Sequence, residues 1–294
     1  MNPLVSIIVI SYNHEDYLEQ AIKSVYQQTY KNVELIVTDD CSKDNSDKVI
    51  KAIQETYKFR YIPNATNIGL NNTLINALNV AQGEFISIFS ADDYIVENKI
   101  ERQLGVLLEK QGDGICSNGY QFNCNTTKPL TIDPVFLSSD RSKILNYLYQ
   151  YDWNAPLVQS GLFKRDIFLS LLWIRKEYKS DDWAFMINAY QQFNILYLDE
   201  YLFYYRIHDN NTHKNYWYTL PMRVEIACKL VPENYRLKTL SNLFFLQGQS
   251  AAVDKKLSEG FRLYMASFIL NFSISKMYSM VITYLGLLKR RLTK

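Results

Sequence analysis

The chain has 294 residues and a formal net charge of +2, from 32 Lys and Arg residues against 30 Asp and Glu residues. Hydrophobic residues make up 48% and charged residues 21% of it, which is typical of a folded globular protein and excludes a disordered one. The balanced charge argues against a nucleic-acid-binding protein. The four cysteines form no CxxC pair, so we expect neither a disulfide scaffold nor a zinc site. The same pattern favours a protein of a reducing compartment.

The first hundred residues alternate short β-branched runs with segments of helical periodicity. The pattern predicts strands at residues 5–10, 33–37, 59–62 and 85–89, with helices between them. Such alternation predicts an α/β fold, in which a mostly parallel sheet is flanked by helices. Ligands of these sheets bind beyond the carboxyl ends of the strands, so the residues that directly follow each strand are the candidates for a functional site.

The remainder of the chain divides into a mixed region and a helical region. A helix is predicted at residues 183–191 and a strand at 203–207. From residue 216 onward the periodicity is helical, and Gly260 is expected to separate a last, apolar segment from the rest. We therefore predict a domain at residues 1–215, with halves at 1–110 and 111–215, and a C-terminal helical extension at 216–294.

Two acidic pairs follow two of the predicted strands. Asp39-Asp40 comes after the second strand and Asp92-Asp93 after the fourth, while Ser11-Tyr12-Asn13 follows the first. The sequence has no GxxxxGK[ST] loop and no GxGxxG fingerprint, so phosphate would be bound in another way, and a divalent cation can bridge carboxylates to phosphate groups. The alternative is that each pair caps a helix that begins near Asp44 or near Tyr94.

With these residues in place, the sequence resembles the family 2 glycosyltransferases. The resemblance is continuous from about residue 4 to 100 and returns at two later motifs. The motifs that carry it are residues 5–13, Gln27-Gln28-Thr29, residues 34–42, Asn67-Ile68-Gly69, residues 83–86, Ala91-Asp92-Asp93, Ser180-Asp181-Asp182-Trp183 and Tyr205-Arg206-Ile207-His208.

The resemblance implies a GT-A fold, of Rossmann-like type, and the inverting transfer of a sugar from a nucleotide-diphosphate donor, with Mn²⁺ or Mg²⁺ as cofactor. It implies that residues 1–110 bind the nucleotide and that residues 111–215 bind the acceptor. Uridine is the family's commonest base, so a UDP-hexose or UDP-N-acetylhexosamine is the expected donor. The sequence departs from the family pattern at Ser90, where aspartate is frequent, and at Cys41, where glycine is frequent.

The resemblance also assigns roles to individual residues. It implies nucleotide contacts from Ser11, Tyr12, Asn13, Asp40 and Asp92, with Tyr12 and Asp40 against the base and Asp92 on the ribose. The metal would be bound by Asp93, and Asp182 would be the general base, with Asp181 and Trp183 on the acceptor side.

Inverting transfer needs one general base for the acceptor hydroxyl, unlike glycoside hydrolysis, in which two carboxyl groups flank the bond. Asp181 is a substitute for Asp182 as this base. The alternative for both residues is a solvated helix start. We expect Arg206 to contact the diphosphate or, failing that, to form a surface salt bridge. His208 is expected to bind metal or phosphate, against the alternative of a structural histidine.

Two other functions remain open at this point. A sugar nucleotidyltransferase also needs a nucleotide crevice and metal-binding aspartates, but residues 2–13 contain no glycine, lysine or arginine to hold a triphosphate. A non-catalytic homologue that binds glycan or serves as a scaffold is the second alternative. The presence of Asp40, Asp92, Asp93 and Asp182 argues against it.

The C-terminal segment predicts where the protein works. The uncharged runs 263–275 and 277–288 are separated by Lys276 and are too short to span a bilayer. A polar stripe recurs at every fourth residue beside a wide apolar surface, and a basic cluster follows; the stripe is Ser267, Asn271, Ser275, Ser279 and Thr283, and the cluster is Lys289, Arg290, Arg291 and Lys294.

Because the N-terminus also lacks a signal peptide, we expect a cytoplasmic protein attached peripherally to the inner face of the membrane. The glycan acceptor would then be linked to a lipid, such as a polyprenyl diphosphate, in the assembly of bacterial surface polysaccharide. The alternative is that the apolar surface is buried against the catalytic domain or in a homo-oligomer.

Overall fold

The computed structural model describes residues 2–151, 154–178, 182–208, 216–254 and 256–292. The chain forms two compact units. The first comprises Met1–Ile144 and Asn154–Ile207, and the second comprises Leu145–Trp153 and His208–Lys294. The division differs from the predicted boundary after residue 215, because the first unit ends at Ile207 and a short earlier segment belongs to the second unit.

The first unit begins with the alternation of strands and helices that the sequence predicts. Its elements are β1 (Val5–Ser11), α1 (Leu18–Tyr26), β2 (Val33–Asp39), α2 (Ser46–Thr56), β3 (Arg60–Pro63), α3 (Leu70–Val80) and β4 (Phe85–Ser90). β1 pairs in parallel with β2 on one side and β4 on the other, and β3 pairs in parallel with β2. Every residue of β1 is buried, as is typical of a central parallel strand with a continuous β-branched sequence.

The sheet continues through shorter and partly antiparallel strands. The elements that follow are β5 (Tyr94–Ile95), α4 (Lys99–Glu109), β6 (Gly114–Phe122), β7 (Thr127–Pro129), α5 (Arg141–Tyr149), β8 (Leu162–Lys164), α6 (Arg165–Ser170), α7 (Leu172–Glu177), α8 (Asp182–Gln192) and β9 (Ile195–Arg206). The described strands form one sheet in the order β3-β2-β1-β4-β8-β6-β9-β5, with β7 beside β6. The predicted helix at residues 183–191 is α8, and the predicted strand at 203–207 is the end of β9.

The alternative interpretation of Asp92-Asp93, in which the pair caps a helix that begins near Tyr94, is wrong. Tyr94 and Ile95 pair antiparallel with Tyr204 and Phe203 of β9, and the helix begins only at Lys99. Tyrosine and isoleucine both favour strands when a partner strand is available. The Asp92-Asp93 pair therefore precedes a strand and does not cap a helix.

The second unit contains four further helices among its described residues. They are α9 (Tyr216–Leu230), α10 (Glu233–Val253), α11 (Leu257–Leu270) and α12 (Ile274–Leu292). The expected break at Gly260 is wrong, because this glycine lies within α11 and the chain leaves the helix only after Leu270. Among the residues that the structure describes, no helix combines the length and the apolar character that crossing a bilayer requires.

Candidate active site

The ends of three parallel strands bring the predicted polar residues to one edge of the sheet. Ser11 pairs with Asp39 across β1 and β2, and Ile10 pairs with Ser90 across β1 and β4. The amide of Asp40 donates to the carbonyl of Ser11 at 3.0 Å, so the loops continue side by side beyond the strands. Ser11 is fully buried, whereas 39% of Tyr12 is exposed.

The loops after β1 and β2 are joined to each other by hydrogen bonds. Asn13 and Cys41 both have left-handed backbone conformations, with φ of 57° and 59°. The amide of Asn13 donates to Ser42 Oγ at 2.8 Å, and the Asn13 Oδ1 atom accepts from the amide of Lys43 at 2.8 Å. The left-handed conformation explains why glycine would fit the position of Cys41.

Asp39 and Asp40 organise the loops around them. The Asp39 carboxylate accepts from the amide and hydroxyl of Ser42, and the next helix, α2, begins only at Ser46. The Asp40 carboxylate accepts three hydrogen bonds from a third loop, from Asn64 Nδ2 and from the amides of Ile68 and Gly69, at 2.8–3.0 Å. Neither aspartate caps α2. Both hold the loops at this end of the strands in place.

Asp93 is enclosed at the start of β5. Its Oδ1 atom accepts from the backbone N–H of Arg206 at 2.8 Å, and its Oδ2 atom is buried without a hydrogen-bond partner among the described residues. Burial, and then the neighbouring Asp92 carboxylate, raise the pKa of Asp93 well above its usual range, and Arg206 offsets only part of this shift.

Asp92 lies beside His14, a residue that was not among the predicted site residues. An imidazole nitrogen of His14 and a carboxylate oxygen of Asp92 lie within 4.8 Å of each other, close enough to bind the same cation. Imidazole and carboxylate together fit Mn²⁺ better than Mg²⁺, which prefers oxygen ligands. The sequence feature that could have indicated His14 as a site residue is its position next to Asn13, in the loop after β1. His208 begins the second unit directly after Ile207, and its predicted role stays a prediction.

Arg206 connects the acidic loop to two neighbouring elements. Its Nε atom donates to the carbonyl of Asp92 at 2.7 Å, and an Nη atom donates to Gln20 Oε1 at 2.6 Å. The guanidinium lies between the rings of Tyr17 and Phe122, 4.5 and 4.4 Å from their centroids. Its contact with a diphosphate stays a prediction.

The predicted general base lies in the same electrostatic environment. Tyr205 is mostly buried, and its pKa is raised by burial and then by Asp93, Asp92 and Asp182. The three carboxylates therefore act on one tyrosine of β9. Asp182 begins α8 and is half-buried, as is Trp183. Asp181, the alternative base, lies outside the described residues.

Comparison of the sequence with models of protein families identifies the class to which this protein belongs. The family model Glycosyl transferase family 2 matches residues 6–169, more than half of the chain. The chain therefore belongs to the family 2 glycosyltransferases, and the prediction of a glycosyltransferase is confirmed.

Curated relatives agree with this assignment. An uncharacterized glycosyltransferase of Haemophilus influenzae is 32% identical over 197 residues, which cover 65% of this chain and 73% of the relative. Glycosyltransferase GlyG of Streptococcus pneumoniae is 32% identical over 124 residues, which cover 42% of this chain and 41% of GlyG. The match thus spans less than half the length of GlyG.

Solved structures share the fold. TarS 1-349 of S. aureus, in complex with UDP-GlcNAc, has a TM-score of 0.60 at 18% identity, with 95% of this chain and 79% of that chain covered. The mannosyltransferase PcManGT of Pyrobaculum calidifontis, in complex with GDP-Man and Mn²⁺, has a TM-score of 0.61 at 16% identity, with 97% and 80% covered. The predicted α/β fold of GT-A type, with C-terminal helices, is confirmed.

Proposed function

We propose that the protein transfers a hexose or N-acetylhexosamine from a UDP-linked donor to a hydroxyl group of a glycan, with inversion at the anomeric carbon. The observation that carries the proposal is the meeting of the loops after β1, β2 and β4 at one edge of the sheet. The complexes of TarS with UDP-GlcNAc and of PcManGT with GDP-Man support a nucleotide-sugar donor. Uridine remains our choice of base, with guanosine as the alternative.

The nucleotide would contact Ser11, Tyr12, Asn13 and Asp40. The exposed ring of Tyr12 offers a surface on which a base can stack. A carboxylate has about four acceptor sites, and described residues use three of those on Asp40, so one is left for a donor on the base.

A divalent cation fits beside this nucleotide. When bound, it supplies positive charge against the diphosphate that leaves the sugar. The proximity of His14 and Asp92 favours Asp92 as a ligand, and the imidazole favours Mn²⁺. We keep His208 as a candidate ligand from its place in the motif Tyr205-Arg206-Ile207-His208. The family resemblance assigned the metal to Asp93 and the ribose to Asp92, and this remains the alternative.

The acceptor side lies at the start of α8. We assign the general base to Asp182, with Asp181 as the alternative and Trp183 beside the acceptor. The Asp182 carboxylate takes the proton of the acceptor hydroxyl while the hydroxyl oxygen bonds to the anomeric carbon. The bond from that carbon to the diphosphate oxygen breaks in the same step. Because the hydroxyl attacks the face opposite the departing diphosphate, the configuration inverts.

Calorimetric titration and turnover measurements on the same variants test this division of roles. UDP and GDP are titrated with and without Mn²⁺, and transfer or hydrolysis of UDP-GlcNAc is measured. We expect Asp92→Asn to lose Mn²⁺-dependent UDP binding and Asp93→Asn to retain it, whereas the reverse result would assign the metal to Asp93. Asp182→Asn should bind UDP as the wild type does but turn over about 10²- to 10⁴-fold more slowly. A wild-type protein that binds neither nucleotide would contradict the proposed function.

We also propose that the acceptor is a polyprenyl-diphosphate-linked glycan used in surface polysaccharide assembly, and that the protein acts at the inner face of the cytoplasmic membrane. The bacterial relatives and the basic, apolar C-terminal segment support this. Radiolabel transferred from the donor should enter the organic phase when the acceptor is lipid-linked. Equal transfer to a soluble glycan would remove the need for a lipid acceptor.

A further inference from the structure

Two residues of the polar stripe, Ser267 and Ser279, contact α10 in the interior of the second unit. Ser267 of α11 is fully buried, and its hydroxyl lies 3.0 Å from the hydroxyl of Ser241 in α10. In α12, Ser279 Oγ accepts from Gln249 Nε2 of α10 at 3.0 Å. These two stripe residues are therefore used in packing against α10, whereas Ser275 of the stripe is exposed.

Lys276, the charged residue between the two apolar runs, also contacts α10. Lys276 Nζ donates to Ser241 Oγ at 2.7 Å and lies 5.7 Å from the centroid of the Phe245 ring. The side chain is half-buried, and burial, followed by the nearby charge of Lys238, lowers the pKa of Lys276 to about 8. Lys276 interrupts the apolar run in the sequence, but its ammonium group packs against α10.

Apolar side chains consequently occupy the outer side of this region. Nine of the 19 exposed large apolar side chains of the described residues lie between positions 261 and 282. We call them the C-terminal apolar face: Phe261, Met265, Ile269, Phe272, Ile274, Met277, Tyr278, Val281 and Ile282. In α12 they recur every third or fourth residue and so share one side of the helix. Soluble monomers rarely concentrate exposed apolar residues in this way, so a partner should cover them.

Charge decides between the partners that could cover this face. The last 35 residues carry six basic and no acidic residues, whereas acidic residues outnumber basic ones in the rest of the chain. Lys289, Arg290 and Arg291 fall in the last turn of α12. A second copy packed face to face would bring two cationic segments together. An anionic bilayer instead offers an apolar interior next to negative headgroups.

We propose that the C-terminal apolar face docks the protein on an anionic bilayer, with α12 lying in the plane of the headgroups. The inference rests on the proposed membrane location and names the surface that produces it. The polar contacts to α10 hold the apolar residues outward, so the face is built into the fold of the second unit.

Vesicle flotation of the full-length protein tests the proposal, using phosphatidylcholine alone or mixed with phosphatidylglycerol. The wild type should float with the mixed vesicles, and less so in high salt. Ile269→Glu and Tyr278→Glu should each reduce the bound fraction on the order of tenfold, because a charge on the side that enters the bilayer opposes insertion. Leu237→Glu is the matched control, since this residue of α10 is 61% exposed and the change in charge is the same.

Three results would overturn the docking surface. They are a wild type that does not float with anionic vesicles, control and test variants that float alike, and a lipid-free dimer that Ile269→Glu converts to monomers. UDP titration of every variant separates this question from the reaction. Intact UDP binding with lost flotation supports the docking surface. Absent UDP binding in a wild type that floats contradicts the proposed function alone.

Discussion

Arg206 is the residue that holds the acidic loop to the rest of the first unit. Its side chain binds the carbonyl of Asp92 and the side chain of Gln20, and its backbone N–H binds Asp93. Two aromatic rings enclose the guanidinium. The planar guanidinium presents several N–H donors in fixed directions, and the ammonium group of a lysine cannot reproduce this geometry. We infer a positioning role through Asp92.

Substitutions of Arg206 and of one of its partners, Gln20, test this role. Arg206→Lys keeps the charge but not the geometry, and should weaken Mn²⁺-dependent UDP binding about tenfold, since hydrogen bonds to charged groups contribute about 1.5–3 kcal/mol. Gln20→Ala removes one partner and should weaken binding in the same direction, by less. Titration of both variants provides the measurement. Unchanged binding in both would instead favour a simple charge contact with the diphosphate.

Lys99 is a fully buried lysine of the first unit that forms no ion pair with a carboxylate among the described residues. Its Nζ atom donates to Ser87 Oγ and to the carbonyl of Gly161 at 3.0 and 3.1 Å. Cys116 is a titratable group near it. Burial lowers the pKa of Lys99 to about 7, whereas in the unfolded chain it keeps its usual value of 10.5.

The folded protein therefore binds fewer protons than the unfolded chain between about pH 7 and 10.5. Stability due to Lys99 should rise with pH across this interval, by up to about 1.4 kcal/mol per unit, and be constant below it. Urea denaturation at several pH values should show this rise in the wild type and not in Lys99→Met. Parallel pH profiles of the two proteins would contradict the prediction.

At the scale of elements, aromatic contacts anchor β5, which directly follows the acidic pair. Tyr94 of β5 stacks on Tyr204 of β9 at 4.4 Å between ring centroids, and Tyr204 stacks on Tyr120 of β6 at 5.2 Å. Such cross-strand pairs stabilise sheets. β5 has only two residues and forms few backbone hydrogen bonds of its own. The aromatic contacts therefore help to keep Asp92-Asp93 at this edge of the sheet.

The crossing of α10 and α11 depends on two glycines. A Cβ atom on Gly260 would lie 2.9 Å from the carbonyl oxygen of Gly248 and 3.1 Å from the amide nitrogen of Ala252. Backbone atoms at these distances cannot move aside without separating the helices. The close approach explains why a glycine within α11 is compatible with the helix despite its low propensity.

Alanine substitution should therefore have opposite effects at two helical glycines. Gly260→Ala should destabilise the protein by about 1–3 kcal/mol, because overpacking outweighs the gain in helix propensity. Gly105→Ala in α4 is the control: its Cβ would meet nothing within 4 Å, so it should stabilise the protein by about 0.5–1 kcal/mol. Urea denaturation measures both. A stabilised Gly260→Ala variant would show that the crossing tolerates a methyl group.

At the scale of the whole molecule, donor binding and membrane docking are assigned to different units. Hydrogen exchange can observe both in one experiment. UDP with Mn²⁺ should slow exchange in the loops after β1, β2 and β4 and in residues 64–69, because binding orders the backbone that contacts the ligand. Anionic vesicles should protect α11 and α12. Protection of α11 and α12 by UDP alone would contradict this division.

Local sequence patterns were sufficient to predict the parallel strands and the edge where the acidic pairs meet. Strand periodicity and the position of Asp40, Asp92 and Asp93 after strand ends are local properties, and parallel pairing necessarily gathers those ends. The same reasoning could have included His14, since it lies in the loop directly after β1.

Long-range packing decided the rest. Tyr94 forms a strand because β9 pairs with it, although its own neighbourhood also suited a helix start. Arg206 is held by Tyr17 and Phe122, which lie far away in the sequence. The polar stripe of α11 and α12 was visible in the sequence, but periodicity states only which residues share a side. Ser241 and Gln249 of α10 bind that stripe, and these contacts turn the apolar side outward.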